Sequence, residues 1–190
     1  MNRDIRSITT AGIAAALFVG ATAATAGPSG AIFTTNDVGT WVNGNVYPAK
    51  DAVYLNGGPR VNQKCTAAGL PEGDYYFQVT DPSGELLLSD DALSERKIHV
   101  SGGVITLYLG STHVTGTVAG HCGGQTVQLA PFDDTLNPGG EYKVWLTPAV
   151  PGCDEDFPVC DGAFHPRDSK TDNFKVQAPD PDPDPDGDGD

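Results

Sequence analysis

Short runs in which apolar and polar side chains alternate recur along the chain after residue 30. The clearest run covers residues 74–80, where Tyr75, Phe77 and Val79 fall on one face of an extended backbone. A period of two is typical of a strand with one face against a core. We therefore expect a half-buried strand over residues 74–80.

Turn signals separate this strand from the segments that follow it. Residues 81–84 read DPSG, with Asp first, Pro second and Gly fourth, as a type I turn prefers. Residues 85–89 are then predicted to return as the second strand of a hairpin. Only residues 89–97 favour a helical turn. The remaining predicted strands are 31–35, 51–55, 96–100, 104–109, 126–129, 142–147 and 173–176.

The spacing of these runs indicates a fold class. The chain has 190 residues, and its 24 glycines and 15 prolines are concentrated between the predicted strands. Many short strands separated by turns are typical of two packed antiparallel sheets rather than a parallel sheet with helices. We predict an all-β fold, an antiparallel β-sandwich of about seven to eight strands of the prealbumin or immunoglobulin-like type.

The first 26 residues have the pattern of a secretory signal peptide. Two arginines precede an apolar run at residues 11–20, and the small residues Ala24, Thr25 and Ala26 follow it. The run is shorter than the roughly 20 residues of a membrane-spanning helix. We expect cleavage after Ala26, a β-sandwich domain over residues 27–178 and no membrane span. The protein is predicted to be secreted, or held in the cell envelope.

Residues 179–190 read PDPDPDPDGDGD, and no apolar side chain interrupts them. Such a segment is expected to be a disordered acidic tail, because it cannot bury a core. Its Asp and Gly spacing partly matches an EF-hand loop, although the Glu at the twelfth position is missing. Weak calcium binding is therefore an open possibility. The candidate ligands are Asp182, Asp184, Asp186 and Asp188.

Net charge narrows the range of partners. Lys and Arg number 11 against 25 Asp and Glu, which gives a formal charge of −14. Binding to nucleic acid or to an anionic membrane surface requires a basic patch, so neither is expected. The acidic pairs Asp90-Asp91 and Asp133-Asp134 and the run 154–156 are either oxygen ligands or solubilising turns.

Export also changes how the cysteines are interpreted, because an oxidising compartment favours disulfides. The four cysteines are Cys65, Cys122, Cys153 and Cys160. Three pairings are possible, and we favour Cys65–Cys122 and Cys153–Cys160 because the latter two bracket a short loop. The alternative is a zinc site formed by Cys122, Cys153, Cys160 and either His121 or His165.

The run LPEGDYYFQVTDPSGELLLS at residues 70–89 resembles the hairpin of collagen-adhesin B-type, prealbumin-like repeats of bacterial surface proteins. Those domains carry leucine, proline and glycine before a Tyr-rich strand, and then a TDPSG turn. The resemblance implies a seven-stranded extracellular module that serves as a stalk, a spacer or an adhesive unit.

Catalytic signatures give little support for an enzyme. The chain has no nucleophile elbow, zinc-protease helix, P-loop or dinucleotide fingerprint. Ser94 and Lys97 fit an S-x-x-K pattern by coincidence, and a base–thiol pair of His121 and Cys122 would be lost in a disulfide. We predict a structural or adhesive module without catalytic activity, whose partner is an extracellular protein or a glycan.

The alternative function is a carbohydrate- or calcium-binding module. Tyr76 and Trp145 fall on the strand faces opposite the apolar ones, and Trp41 lies in a predicted loop. Exposed aromatic rings in these positions would stack on sugars. The competing interpretation is that another strand or the loops cover this second face.

Overall fold

The architecture is described from a computed structural model. It describes residues 29–42, 44, 46–116, 121–149, 164 and 166–177. The predicted signal peptide, the acidic tail and the predicted Cys153–Cys160 disulfide lie outside these residues.

Strand is the main regular secondary structure of the described part of the chain, which confirms the all-β prediction. Three short 3-10 turns, Lys50–Ala52, Leu93–Glu95 and His121–Gly123, are its helical elements, and none of its helices is long and apolar enough to cross a membrane. The strands are β1 Ile32–Thr35, β2 Val46–Tyr47, β3 Tyr54–Gly57, β4 Gly73–Thr80, β5 Lys97–Ser101, β6 Val104–Tyr108, β7 Val127–Gln128, β8 Glu141–Pro148 and β9 Lys170–Val176.

These strands form two sheets. One has the order β1-β3-β7 and the other the order β2-β9-β8-β4-β5-β6. Neighbouring strands are antiparallel except β2 and β9, which pair in parallel through Val46 with Lys175 and Tyr47 with Val176. The prediction of a purely antiparallel arrangement is therefore wrong at this edge.

The hairpin predicted from the DPSG turn is only partly formed. The turn itself is present, because the Gly84 N–H donates to the Asp81 carbonyl at 3.0 Å. Residues 85–89, however, form isolated bridges instead of a strand, and β4 takes β5 and β8 as its regular neighbours. The predicted strand at 51–55 is also displaced, because the Val53 N–H donates to the Lys50 carbonyl and closes a 3-10 turn.

Both sheets contribute to a single apolar cluster. The predicted inward face of β4 is confirmed, since Tyr75, Phe77 and Val79 are all buried. From the other sheet, Leu55 and Val127 are fully buried in the same cluster. Burying such a side chain contributes about 1.5–3 kcal/mol, so this cluster is the main source of stability.

A polar contact also joins the two sheets. Asp172 on β9 accepts hydrogen bonds from the backbone N–H of Thr34 on β1 at 2.8 Å and from its hydroxyl at 3.1 Å. Burial raises the pKa of Asp172, while the Thr34 hydrogen bonds oppose the rise. The N-terminal strand is thereby tied to the C-terminal strand.

Candidate binding site

The Cys65–Cys122 disulfide is confirmed, and it determines what nearby groups can do. The two sulfurs are bonded to each other, and the adjacent His121 donates through Nε2 to the Gln63 carbonyl at 2.7 Å. Neither sulfur is a free thiolate, so the zinc site and the base–thiol pair that used Cys122 are both contradicted.

The predicted aromatic platform is wrong for two of its three members. Trp145 is 6% exposed because the 81–84 turn folds over it, with Gly84 against the indole ring. The indole N–H donates to the Thr80 hydroxyl at 2.9 Å. Tyr76 is also fully buried, with the Lys97 ammonium 5.6 Å from its ring centroid.

Trp41 alone of the three keeps an exposed ring face. It is 48% exposed, and its ring lies 5.4 Å from that of Tyr47. Gly44 permits this position, because a Cβ there would lie 2.7 Å from the Trp41 ring. Stacking on a ligand is therefore available at Trp41.

Histidines in the described part of the chain are held by neighbouring groups. His99 Nδ1 lies 2.7 Å from the Asp74 carboxylate. The His113 side chain is completely buried, with Nδ1 2.8 Å from the Gln128 carbonyl and Nε2 2.9 Å from the Asp91 carboxylate. A ring enclosed in this way cannot reach a substrate from solvent.

Asp91, which contacts His113, also forms an ionic contact with a second buried side chain. Its Oδ1 lies 3.4 Å from Nε of Arg96, whose side chain is 2% exposed. Burial lowers the pKa of Arg96, and the Asp91 charge opposes that change. This member of the predicted Asp90-Asp91 pair therefore balances the buried Arg96 guanidinium, contacts the His113 ring and is not an exposed metal ligand.

A well-formed concave surface lies elsewhere, between the segment that follows β2 and the loop that precedes β8. We call it the first cleft, and its volume is about 680 Å³. Clefts of this size, mostly apolar with a few polar groups, are typical of binding sites. Its described lining is Pro48, Ala49, Lys50, Asp51, Ala130, Asp134, Thr135, Asn137, Pro138, Gly140, Tyr142, Val176 and Gln177.

Lys50 is the fixed polar group of the first cleft. Its ammonium lies 2.7 Å from the Asp134 carboxylate, donates to the Phe132 carbonyl at 2.8 Å and sits 5.2 Å from the Phe132 ring centroid. An ammonium has three N–H donors, and two are accounted for by these contacts. The third has no acceptor among the described residues, which leaves it for an acceptor on a ligand.

A second cleft of about 420 Å³ shares Thr135 and Asn137 with the first as a common wall. Leu136 lies between these two residues and is 89% exposed. Asp81 lines the second cleft. Hydrogen bonds from the Ser83 hydroxyl and from the Leu86 N–H lower its pKa to about 2, which keeps the carboxylate charged.

Sequence analysis did not find these clefts. The sequence left Asp134 either as an oxygen ligand or as part of a solubilising turn. The useful signal was Leu136, a large apolar residue within a predicted polar loop. No protein-family model, curated protein or solved structure matches the chain.

Proposed function

We propose that this chain is a secreted or cell-surface β-sandwich of the prealbumin-like, B-type kind. In this proposal it serves as a structural or adhesive module and has no chemistry of its own. The shared core of the two sheets supports the sandwich, and the motif at residues 70–89 supports the family resemblance.

One observation carries the mechanical part of the proposal: the N-terminal strands are attached directly to the C-terminal strand. Thr34 on β1 contacts Asp172 on β9, and β2 pairs in parallel with β9. The Gln177 N–H extends that pairing by donating to the Tyr47 carbonyl at 2.8 Å. When force pulls the free ends of two parallel neighbouring strands in opposite directions, it loads all of their hydrogen bonds at once in shear. The same force on the two ends of a hairpin breaks its hydrogen bonds one after another.

The histidine contacts support the noncatalytic part. Each of the three described imidazoles is hydrogen-bonded through a ring nitrogen. His99 contacts Asp74, His113 contacts both Asp91 and Gln128, and His121 contacts Gln63. These contacts fix side chains within the fold, as expected of a module whose role is structural.

Force spectroscopy of the chain after signal-peptide removal, held between two handle domains, tests the proposal. Forced unfolding is governed by the unfolding rate. We expect Asp172→Ala to lower the unfolding force at matched loading rate. Asp133→Ala, which removes an exposed acid from a loop remote from this contact in sequence, should leave the force unchanged. Equal forces for wild type, Asp172→Ala and Asp133→Ala would overturn the proposed load path.

A second candidate function, carbohydrate binding, is favoured by the exposed face of Trp41. Because Trp145 is buried, a glycan that stacks on Trp41 should change the fluorescence of that one residue. Titration with soluble oligosaccharides should give a saturable change that Trp41→Ala removes. No change with wild type would count against this candidate.

Weak calcium binding by the tail stays a prediction from sequence. A ligand present at 100 times its dissociation constant stabilises the state that binds it by about 2.7 kcal/mol. Thermal unfolding in millimolar calcium and in chelator therefore distinguishes a site coupled to the fold from an acidic spacer. A rise in melting temperature with calcium would favour the former.

A further inference from the structure

We propose that the two clefts beside Leu136 form a docking surface for an extended, basic segment of another protein that carries an apolar anchor residue. We call Leu136 together with both clefts the Leu136 surface. This inference rests on the proposed adhesive function and specifies the class of partner that such a module would hold.

The shape of the surface calls for apolar groups. Ala49, Ala130, Tyr142 and Val176 contribute to the first cleft, whose volume accommodates more than one side chain. Leu136 projects beside it and is 89% exposed, more than any other large apolar residue in the described chain. An exposed leucine next to an apolar cleft is typical of an interaction surface.

The charges of the surface determine the sign of the partner. Asp51 and Asp134 line the first cleft and Asp81 lines the second, whereas Lys50 is the described cation among the lining residues. The ammonium of Lys50 is already paired with Asp134. The surface therefore carries net negative charge within a chain of formal charge −14, and it attracts cations and repels acidic segments.

The same charges decide against a second copy of this chain as the occupant. Two copies that meet at the Leu136 surface would bring Asp51, Asp81 and Asp134 towards like charges. Lys or Arg on a different protein would instead pair with these carboxylates. The free N–H of Lys50 would donate to a main-chain carbonyl, which an extended segment exposes.

The probes are two fluorescently labelled synthetic hexapeptides. In the first, lysine residues alternate with leucine or proline, and in the second every lysine is replaced by glutamate. Fluorescence anisotropy is measured with the chain after signal-peptide removal, at low salt and at 0.5 M salt. We expect the lysine peptide to bind. Its affinity should fall at least fivefold in high salt, because salt screens the attraction between the lysines and the carboxylates. The glutamate peptide should not bind.

Variants distinguish binding at the Leu136 surface from nonspecific electrostatic attraction of the peptide to an acidic protein. Asp134→Lys should weaken binding at least tenfold, whereas Asp37→Lys makes the same charge change at an exposed site outside both clefts and should change it less than threefold. Leu136→Ser should weaken binding at least fivefold. Val114→Ser, at a residue 54% exposed elsewhere, should not.

Three outcomes would overturn the inference. They are equal binding of both peptides, equal loss with Asp37→Lys and Asp134→Lys, and concentration-dependent dimers in sedimentation that Leu136→Ser abolishes. The last outcome would identify a second copy as the occupant. Because unfolding force is measured without any peptide, failure here leaves the load-path result intact, and failure of that result leaves peptide binding interpretable.

Discussion

The Asp172 carboxylate accepts the backbone N–H and the hydroxyl of Thr34, and this contact joins β9 of one sheet to β1 of the other. Thr34 is fully buried, so its N–H depends on this acceptor. Asp172→Ala should cost about 1–3 kcal/mol, the penalty for leaving a buried donor unsatisfied. Asp172→Asn keeps an acceptor oxygen and should cost less than about 1 kcal/mol. Chemical denaturation of the two variants checks this difference.

The charge of Asp172 also predicts a pH dependence. Its folded pKa is raised, mainly by burial, so the folded state holds the proton more tightly than the unfolded state does. The favourable contribution is therefore complete below the unfolded pKa and is lost as pH rises through the folded value. Relative to Asp172→Asn, the wild type should gain stability as pH falls from 7 to 3. A constant difference would contradict the prediction.

Asp81 should respond in the opposite direction. Its folded pKa is lowered to about 2, mainly by the Ser83 hydroxyl and the Leu86 N–H. The stability that this provides is present above the unfolded pKa and is lost as pH falls towards 2. Asp81→Asn should destabilise the fold by about 1 kcal/mol at pH 7, because the turn is partly exposed and water replaces some lost bonds. The deficit should shrink below pH 4 in the same denaturation series.

Gly84 explains why the outer face of β4 and β8 is covered. Its φ is +86°, and an added Cβ would lie 2.5 Å from Cζ2 of Trp145. Gly84→Ala should therefore cost more than Gly102→Ala, whose φ is +60° with nothing within 4 Å of an added Cβ. Left-handed backbone alone costs about 1 kcal/mol, and the clash adds about 1–3 kcal/mol. Equal losses in thermal unfolding would show that Trp145 moves away freely.

Local patterns predicted most strands, because alternation reports which face of a strand meets the core. The alternation at 74–80 correctly placed Phe77 and Val79 inside. It could not reveal that Trp145 is covered, because the covering turn is about 60 residues away in sequence, at Gly84. Strand β2 was missed for a related reason: two residues have no period, and their pairing partner is β9.

The binding surface was harder to predict than the fold. The first cleft forms where residues 48–51 meet residues 134–140, and the second forms where residues 81–86 meet residues 135–137. Both meetings depend on the order of strands in the larger sheet. The sequence contains Lys50 and Asp134 but no sign that their side chains pair. The Cys65–Cys122 bridge was favoured in advance because Cys153 and Cys160 bracket a short loop, which leaves Cys65 and Cys122 to pair with each other.

Removal of the Cys65–Cys122 bridge should be costly. It joins residues 57 apart, and loop-closure entropy assigns such a bridge about 4 kcal/mol. The double variant Cys65→Ser with Cys122→Ser should lose about that much stability. If the predicted Cys153–Cys160 bridge forms, its removal opens a shorter loop and should cost about 2 kcal/mol. No loss for the second pair would refute that pairing.

The segment that follows Cys122 covers an edge of the larger sheet, and the bridge anchors the start of that segment. The Gln125 N–H donates to the Ile105 carbonyl at 2.7 Å, and its side chain accepts the Tyr108 N–H at 3.2 Å. These contacts occupy outward groups of the edge strand β6, and exposed edge groups promote pairing between chains. The Cys65–Cys122 double variant should therefore aggregate in light scattering at concentrations where wild type and the Cys153–Cys160 variant do not.

The buried Asp91 carboxylate predicts unequal losses of stability for two substitutions at one ionic contact. Asp91→Ala leaves the buried Arg96 guanidinium without its counter-ion and the buried His113 Nε2 without its hydrogen-bond partner, which should cost about 3–5 kcal/mol. Arg96→Met instead removes a buried cation whose Nε and Nη1 have no hydrogen-bond partner, while Asp91 keeps His113. That change should cost less than about 1.5 kcal/mol, because an apolar side chain of similar length avoids the desolvation of the guanidinium. Comparable losses for the two variants in chemical denaturation would contradict this asymmetry and show that Asp91 depends on Arg96 as much as Arg96 depends on Asp91.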